Sequence, residues 1–324
     1  MIQPLLRGDP RRTRLLWEPD NTLPVPGVDL DVRVFLTGGT GYVGGAVAAA
    51  LVRAGHSVTA LVRASGKERA LLQGGVSAVR GDLGEPATYE RIAALHDTII
   101  HAGFEDPDTD LIALETLIGA ARTDEGRHLI YTSGVWVLGD THATVAYENA
   151  PLRSPARVVA WRGEHEQLVL LSADEGVTPC VVRPGLVYGG KGGLVSRYFS
   201  SATEEGAAAF IGDGRNHLSL VYREDLAQLY RLVVEKRGWG IFHGVDGTPL
   251  RVEEVARAAS ELAGAGGATR SIPPAEARAT LGFTADALCL EQQVGTRRAG
   301  ELGWKPRFDS FHEGGPSAFA EWSS

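Results

Sequence analysis

Three glycines, Gly38, Gly41 and Gly44, follow an apolar run at three-residue spacing in the stretch VFLTGGTGYVGGAV. Glycines at this spacing allow a tight turn, let the backbone approach a pyrophosphate, and let the next helix pack closely on the strand. The first N–H groups of that helix and its positive dipole end favour a bound anion. The stretch therefore predicts a dinucleotide site, with a plain glycine turn as the alternative.

The end of the second apolar run indicates which nicotinamide cofactor to expect. An acid at this point favours a free ribose 2′-hydroxyl, whereas an arginine accommodates a 2′-phosphate. Val62 stands where the acid would be, and Arg63 follows it, with Ser65 and Lys67 close behind. We therefore expect NADP rather than NAD. The alternative is that Arg63 is a solvated surface charge.

Six short apolar runs, separated by longer amphipathic stretches, must position these residues. Near-continuous apolar strands of this length are typical of a parallel sheet with helices on both faces, and ligands bind at the carboxyl ends of such strands. We predict an α/β fold with a Rossmann-type doubly wound parallel sheet. The predicted strands are VRVFLT (32–37), VTALVR (58–63), VSAVR (76–80), TIIHA (98–102), HLIYTS (128–133) and PCVVRP (179–184).

Changes of composition divide the chain into three parts. Residues 1–30 are basic and then proline-rich, which indicates an N-terminal extension. Residues 31–185 carry the alternating pattern and form the predicted dinucleotide-binding domain. In residues 186–324 glycine-rich stretches alternate with helical periodicity, which predicts a smaller, mostly helical, substrate-binding cap. The proline-containing stretch ENAPLRSPARV (148–158) predicts a loop above the site.

The composition indicates which classes of binding partner to expect. The 324 residues are 44% hydrophobic and 22% charged, with a net charge of −8, and no apolar run is long enough to span a bilayer. This charge argues against a nucleic-acid partner, so we expect a small-molecule substrate. Cys180 and Cys289 form neither a disulfide framework nor a zinc constellation, so no metal and a reducing, cytoplasmic location are expected. The sequence leaves a homodimer open.

Several motifs, in order, resemble the extended short-chain dehydrogenase/reductase superfamily, in its NAD-dependent epimerase/dehydratase branch. They are TGGTGYVG (37–44), GDL (81–83), HAG (101–103), YTS (131–133), VVRPGLVYG (181–189) and GDGRNHLSLVYREDLA (212–227). The resemblance covers the chain from about Val32 to the C-terminal region, and it implies a nucleotide-dependent oxidoreductase.

The resemblance also implies which residues bind the cofactor. The glycine-rich turn would meet the pyrophosphate, GDL the adenine, HAG the adenosine ribose, and the residues after the sixth strand the nicotinamide. As alternatives, Asp82 is a turn residue and His101 a packed polar group. The implied residues are Gly38, Thr40, Gly41, Tyr42, Val43, Gly44, Asp82, Leu83, His101, Ala102, Gly103, Pro184, Gly185 and Leu186.

The chain departs from the family at the residues that transfer protons. Family members that transfer a hydride use a Ser or Thr, a Tyr and a Lys, in strings that resemble SSSxxVYG and YxxSKxxxEQ. Alignment with YTSGVWVLG and VVAWRGEHEQL puts Gly134 at the catalytic hydroxyl, Val158 at the Tyr and Arg162 at the Lys, with Ser133 one position early. A guanidinium with a pKa above about 12 is a poor proton donor, although it can still bind the ribose or a phosphate.

Three functions follow from this departure. The first is an atypical reductase or epimerase-like enzyme that uses Ser133, Tyr188 and Arg162 in catalysis, with Tyr147 or an ordered water as further proton donors. The second is a non-redox enzyme, such as a cyclase, isomerase or lyase, on the same fold. The third is an NADP-binding sensor or regulatory module. We rank them in this order.

The lost polar groups predict a roomy, apolar substrate site suited to an aromatic or polyketide-like carbonyl compound. The alternative for the tryptophans is ordinary packing. The expected substrate residues are Gly134, Trp136, Val158 and Trp161, together with Tyr188, Arg197, His217 and Tyr222 from the cap.

Overall fold

A computed structural model describes residues 31–63, 68–123 and 126–324. The expected N-terminal extension, Ser65 and Lys67 lie outside these residues. The strands are β1 Arg33–Thr37, β2 Ser57–Val62, β3 Ser77–Arg80, β4 Thr98–His101, β5 His128–Thr132, β6 Thr178–Pro184, β7 Leu186–Tyr188, β8 Ala208–Ile211, β9 His217–Leu218, β10 Leu220–Tyr222, β11 Gly240–Gly244, β12 Leu250–Arg251 and β13 Thr269–Ile272. The helices are α1 Tyr42–Arg53, α2 Glu68–Gln73, α3 Glu90–Ala93, α4 Pro107–Ala121, α5 Arg162–Leu171, α6 Ser196–Glu205, α7 Arg223–Glu235, α8 Val252–Leu262, α9 Pro274–Leu281, α10 Thr284–Ala287, α11 Arg298–Glu301 and α12 Phe311–Ser323.

The central sheet has seven parallel strands in the order β11-β6-β5-β4-β1-β2-β3. All six strands predicted from the apolar runs are present in it. The chain leaves β1 toward β2 on one side and later returns to β4 on the other, so a crevice opens between the ends of β1 and β4. This is the point at which doubly wound sheets bind ligands.

Helices cover both faces of the sheet. On one face, Val47 and Leu51 of α1 and Leu229 of α7 are fully buried in a single apolar cluster. On the other face, Leu114 of α4 and Val169 of α5 are fully buried in a second cluster. Because both faces are covered, strand residues of either orientation are apolar, which explains the near-continuous apolar runs.

The seventh strand, β11, was not predicted. It comes from the region assigned to the cap, and Ile241 pairs with Val181 of β6 at the edge of the sheet. The helix before it, α7, packs on the same sheet. The boundary at residue 185 stays a prediction, but the described chain returns to the sheet after crossing that boundary.

The remaining C-terminal elements form a smaller, mostly helical region, as predicted. Helices α6, α8 and α12 pack around a core that includes Tyr188, Phe199 and Phe311. Three two-stranded ladders, β7–β10, β8–β13 and β9–β12, complete it. No helix among residues 31–63, 68–123 and 126–324 is long and apolar enough to cross a membrane.

The predicted loop is also present. Residues 139–156 contain neither helix nor strand, and 3-10 turns flank them at Val135–Leu138 and Arg157–Val159. Gly139 packs directly on Ser154, since a Cβ at Gly139 would lie only 1.9 Å from the Ser154 carbonyl oxygen. The segment therefore folds back on itself and brings the second 3-10 turn to the crevice.

Candidate active site

The glycine-rich turn has no room for side chains. Gly38 has φ +74°, and a Cβ at this position would lie 2.4 Å from the Ala102 carbonyl oxygen. A Cβ at Gly44 would lie 2.2 Å from the Gly38 carbonyl oxygen. Gly41 is the N-cap of α1 and offers no capping side chain, so the first N–H groups of this twelve-residue helix remain available. The turn fits a dinucleotide pyrophosphate at a helix N-terminus.

A cleft of about 700 Å³ opens at this turn, along the carboxyl ends of β1, β4, β5 and β6. Most of the residues expected to bind cofactor lie in its wall, and so does part of the expected substrate and catalytic set. From these expectations the lining contains Gly38, Thr40, Gly41, Tyr42, Val43, Gly44, Arg63, Leu83, Ala102, Gly103, Ser133, Gly134, Trp136, Val158, Arg162, Pro184, Gly185 and Leu186.

Two expected cofactor residues are not in the lining. The Asp82 carboxylate accepts a hydrogen bond from the Gly84 N–H at 2.9 Å. This contact is typical of a turn residue, the alternative role given for Asp82 in the sequence analysis. His101 is fully buried behind the cleft, which matches its alternative as a packed polar group. Neither side chain is therefore placed in the wall that a dinucleotide would contact.

His101 belongs to a buried network centred on Asp110 of α4. His101 Nε2 lies 3.1 Å from one carboxylate oxygen of Asp110, while His165 Nδ1, at 2.8 Å, and the Tyr131 hydroxyl, at 3.0 Å, contact the other. Burial acts to raise the pKa of Asp110, but the hydrogen bonds from the histidines and the charge of Arg162 outweigh it and hold that pKa below its ordinary value. The network is thus a buried negative charge behind the cleft.

Arg162, the first residue of α5, is only 4% exposed and yet lines the cleft. One guanidinium nitrogen donates to the Thr132 carbonyl oxygen. The guanidinium carbon lies 5.1 Å from the Phe104 ring centre and 5.5 Å from that of Tyr131. Among the described residues no carboxylate lies within 4.0 Å of Arg162. A buried cation without a contacting carboxylate is suited to bind an anion or a developing negative charge.

Ser133 lines the same cleft, directly after β5, and follows Thr132, whose carbonyl oxygen accepts the bond from Arg162. The Oγ of Ser133 is buried and has no hydrogen-bond partner in the part of the chain that the structure describes. A buried hydroxyl without a partner is costly, so it is expected to have one when a ligand is bound. The neighbouring Gly134 leaves open space, because the nearest atom to a Cβ there would be the Pro184 carbonyl oxygen at 3.9 Å.

The prediction that Tyr188 is catalytic is wrong. Its side chain is fully buried in the core of the cap, and its ring centre lies 5.1 Å from that of Phe311. The hydroxyl donates to the Ser310 carbonyl oxygen at 3.2 Å, and burial raises its pKa further above the ordinary value. Tyr147 is not a donor to the cleft either, since its ring packs on Gly295 and under Arg297.

Four further expected substrate residues lie outside the cleft. Trp161 packs edge-on against His165, with ring centres 4.8 Å apart, so ordinary packing explains it. His217 is paired with Glu291 at 2.7 Å. The Tyr222 hydroxyl donates to the Glu321 carboxylate. These three side chains are engaged in the protein itself.

Arg197, the fourth, lies on α6 and lines a second, smaller cavity within the cap. The second cavity adjoins the cleft, because Leu186 and Leu194 line both.

Phe104 and Glu105 are among the lining residues that the sequence reasoning missed. Phe104 is 65% exposed and lies over Arg162, and Glu105 is paired with Arg63 at 3.0 Å. They directly follow HAG, so an aromatic residue in an otherwise acidic loop was the available signal. Asp110, in contrast, looks like an ordinary helix acid in the sequence.

Tyr42 is the only tyrosine in the cleft wall within the described ranges, and its hydroxyl donates to the Gly189 carbonyl oxygen at 2.6 Å. Burial raises the pKa of this hydroxyl as well. The cleft therefore holds a buried cation and an unpartnered hydroxyl, but no free phenol.

The parallel sheet, the glycine turn at a helix N-terminus and the cleft at the strand ends define a dinucleotide-binding α/β enzyme. A family model described as "NAD dependent epimerase/dehydratase family" matches residues 34–241. The chain belongs to this family, which makes it an NAD(P)-dependent enzyme of the oxidoreductase type.

Two relatives and one solved structure are similar to this chain. The chain is 30% identical over 297 residues to an uncharacterised protein of Saccharomyces cerevisiae, with 85% of this chain and 95% of the relative covered. It is 26% identical to the 4-hydroxy-2-methyl-3-oxo-4-farnesyl-3,4-dihydroquinoline-1-oxide ketoreductase of Stigmatella aurantiaca, with 76% and 78% covered. A solved structure, the UDP-glucose 4-epimerase of Thermus thermophilus in complex with NAD, is similar with a TM-score of 0.75 and 23% identity, covering 90% of this chain and 99% of that one.

Proposed function

We propose that this chain is an NADPH-dependent reductase of a small carbonyl compound with an apolar or aromatic flank. One observation carries the proposal: Arg162 and Ser133 offer a buried cation and an unpartnered buried hydroxyl at the same wall of the cleft. Two such groups together suit an oxygen atom that becomes negatively charged. The name of the Stigmatella relative, a ketoreductase, supports the same reaction type.

The binding of the cofactor falls to the glycine turn and to Arg63. The turn would hold the pyrophosphate on the N–H groups of α1. Arg63 lies in the cleft wall, and its guanidinium would bind the 2′-phosphate on the adenosine ribose of NADPH. When bound, the dinucleotide supplies a hydride to the carbonyl carbon.

The protein's own part is to stabilise the carbonyl oxygen and to let a proton reach it. Arg162 balances the negative charge that develops on that oxygen, and Ser133 donates a hydrogen bond to it. The guanidinium cannot give up a proton near neutral pH. We infer that the proton comes from water in the cleft and passes through the Ser133 hydroxyl. One hydride on carbon and one proton on oxygen complete the alcohol.

The apolar flank follows from the remaining wall. Beyond Ser133 the cleft is lined by Val135, Trp136, Val158 and Leu194. Gly134 and Val158 stand where the family has polar groups, so the space beside the carbonyl is open and apolar. Such a wall favours substrates whose burial removes apolar surface from water.

A carbonyl panel with NADPH, followed at the nicotinamide absorbance band, tests the reaction. Ser133→Ala and Arg162→Gln should each lower kcat/KM by about a hundredfold, the usual loss of an oxyanion donor. Arg153→Gln is the matched control, because Arg153 is exposed and outside the cleft. Silence on a broad panel despite tight NADPH binding would overturn the reductase and favour a non-redox reaction.

The pH profile provides an independent test of the proton route. Since no free phenol lines the described cleft, kcat/KM should lack the alkaline decline that an ionising tyrosine donor causes. A decline that vanishes in Tyr42→Phe would show that a tyrosine is the donor after all.

Binding measurements test the choice of cofactor. Arg63→Ala should weaken NADPH by about tenfold or more while leaving NADH nearly unchanged, because only NADPH carries the 2′-phosphate. An equal loss for both cofactors would show that Arg63 does not contact the phosphate. Arg153→Gln again serves as the control.

We also propose a cytoplasmic protein that acts on small molecules rather than on nucleic acid. The net charge of −8 and the two free cysteines, Cys180 and Cys289, support this. Light scattering of the purified protein would test the homodimer that the sequence leaves open.

A further inference from the structure

The second cavity occupies about 290 Å³ between α6, the β8–β13 ladder and α9. We call it the side chamber. At the roughly 30 Å³ that one water occupies in the liquid, it has room for about ten non-hydrogen atoms. Leu186 and Leu194 belong to its lining and to that of the main cleft, so the side chamber begins where the cleft wall beyond Ser133 ends.

One part of the inner surface of the side chamber is apolar, although charged and hydroxyl side chains also line it. Tyr198 and Phe210, both less than a tenth exposed, line it together with Ile211 and Leu288. These residues come from α6, β8 and the segment after α10, and they belong to the two apolar clusters of the cap. An apolar occupant would gain free energy by removing this part of the surface from water.

The charges of the side chamber cancel. It is lined by two arginines, Arg197 and Arg270, and by two glutamates, Glu205 and Glu276. Arg270 is already paired with Glu205. A diphosphate carries at least two negative charges and needs a surplus of positive charge, which these four residues do not supply.

We propose that the side chamber holds an uncharged, apolar arm of the substrate, of up to about ten non-hydrogen atoms, while the carbonyl lies at Ser133 and Arg162. This rests on the proposed reductase function and makes its substrate class more specific: a medium-length ketone or aryl ketone. The proposal predicts a different substrate from that of the structural neighbour named a UDP-glucose 4-epimerase. The side chamber has no surplus of positive charge to balance the phosphates of a nucleoside diphosphate.

A series of methyl ketones tests the proposal in the wild-type protein loaded with NADPH. The probes are 2-butanone, 2-heptanone and 2-decanone for the apolar arm and UDP-glucose for the charged alternative. Binding is followed by quenching of tryptophan fluorescence, which is available because Trp136 lines the cleft, and turnover is followed by NADPH consumption. Affinity and kcat/KM should rise by about two- to fourfold per methylene, and UDP-glucose should not bind.

Two matched variants locate the effect. Ala209 lines the side chamber, so Ala209→Phe should remove the gain from 2-heptanone to 2-decanone while sparing 2-butanone. Ala268→Phe is the control, because Ala268 is exposed beside the same ladder and outside the lining. Should Ala209→Phe fail to fold, Thr280→Phe fills the side chamber from its exposed rim.

The possible results separate this inference from the reductase proposal. The side-chamber proposal would be overturned if affinity did not rise with ketone length, or if the rise persisted in both Ala209→Phe and Thr280→Phe. It would also be overturned if UDP-glucose bound more tightly than 2-decanone. If long ketones bind with the expected sensitivity to Ala209→Phe but no ketone is reduced, the reductase proposal fails and the side chamber stands.

Discussion

Replacing Gly44 by alanine tests whether the glycine turn binds the cofactor through its backbone, and the chain provides a control at the next residue. A Cβ at Gly44 would lie 2.2 Å from the Gly38 carbonyl oxygen. A Cβ at Gly45 would lie 3.4 Å from the Gly39 carbonyl oxygen, which is an ordinary contact. The two substitutions add the same methyl group to the same helix, but only the first pushes on the turn.

The two substitutions should change the free energy of unfolding in opposite directions. To relieve the contact, Gly44→Ala must move the turn by about 1 Å, and overpacking of this kind costs about 1–3 kcal/mol. Gly45→Ala adds a better helix former and should be neutral or stabilising by up to about 1 kcal/mol. A turn displaced this far should lose one or more N–H bonds to the pyrophosphate. One such bond to a charged group is worth about 1.5–3 kcal/mol, so the Kd for NADPH should rise about ten- to a hundredfold.

The assay is urea unfolding with and without NADPH, combined with direct titration of NADPH fluorescence. At NADPH a hundred times above the wild-type Kd, the wild type and Gly45→Ala should gain about 2.7 kcal/mol of stability. Gly44→Ala should gain less than about 1.5 kcal/mol at the same concentration. Equal NADPH affinity in Gly44→Ala and wild type, or an equal loss in both variants, would refute the role assigned to the turn.

Three further predictions concern residues away from the cofactor turn. Burial lowers the pKa of His128 to about 4, its Nε2 donates to the Gly238 carbonyl oxygen, and its Nδ1 has no partner among the described residues. The unfolded histidine binds a proton below about pH 6.5, whereas the folded one binds it only below about pH 4. The free energy of unfolding should therefore fall by about 3 kcal/mol as the pH is lowered through this window. In urea titrations at pH 4–7, His128→Gln should make this fall smaller. Tyr188→Phe should leave kcat unchanged and lower the free energy of unfolding by about 0.5–1.5 kcal/mol, the value of the hydrogen bond to Ser310. A tenfold loss of turnover would show that Tyr188 takes part in the reaction. Asp106 caps α4, so Asp106→Ala should lower the unfolding free energy by about 1 kcal/mol in the same titration, and an unchanged midpoint would contradict the cap.

The sheet and the turn could be predicted because their causes are local. Each of the six predicted strands is a nearly continuous apolar run, and the glycine spacing directly reflects a backbone that excludes Cβ atoms. The seventh strand, GIFHG, has only two strongly apolar residues, Ile241 and Phe242, between its glycines. It is a strand because β6 offers it an unpaired edge, which no local pattern reveals.

The cleft wall to which we assign catalysis was predicted only in part, because the hydrogen-bond partners of its candidate residues are distant in sequence. Ser133 and Arg162 were proposed from their alignment with family strings, and both line the cleft. Tyr188 was misplaced because its hydrogen-bond partner, Ser310, lies 122 residues later in the chain. Asp110 was missed because its burial depends on contacts with β4, β5 and α5 together.

The late return of the chain to the sheet has a consequence for synthesis on the ribosome. While the nascent chain ends anywhere before β11, the outer edge of β6 exposes unpaired N–H and C=O groups. That edge stays bare until α6, β8 and α7 have all been translated, and a bare edge of an apolar sheet invites pairing with other chains. A fragment that stops near residue 185 should therefore aggregate rather than fold.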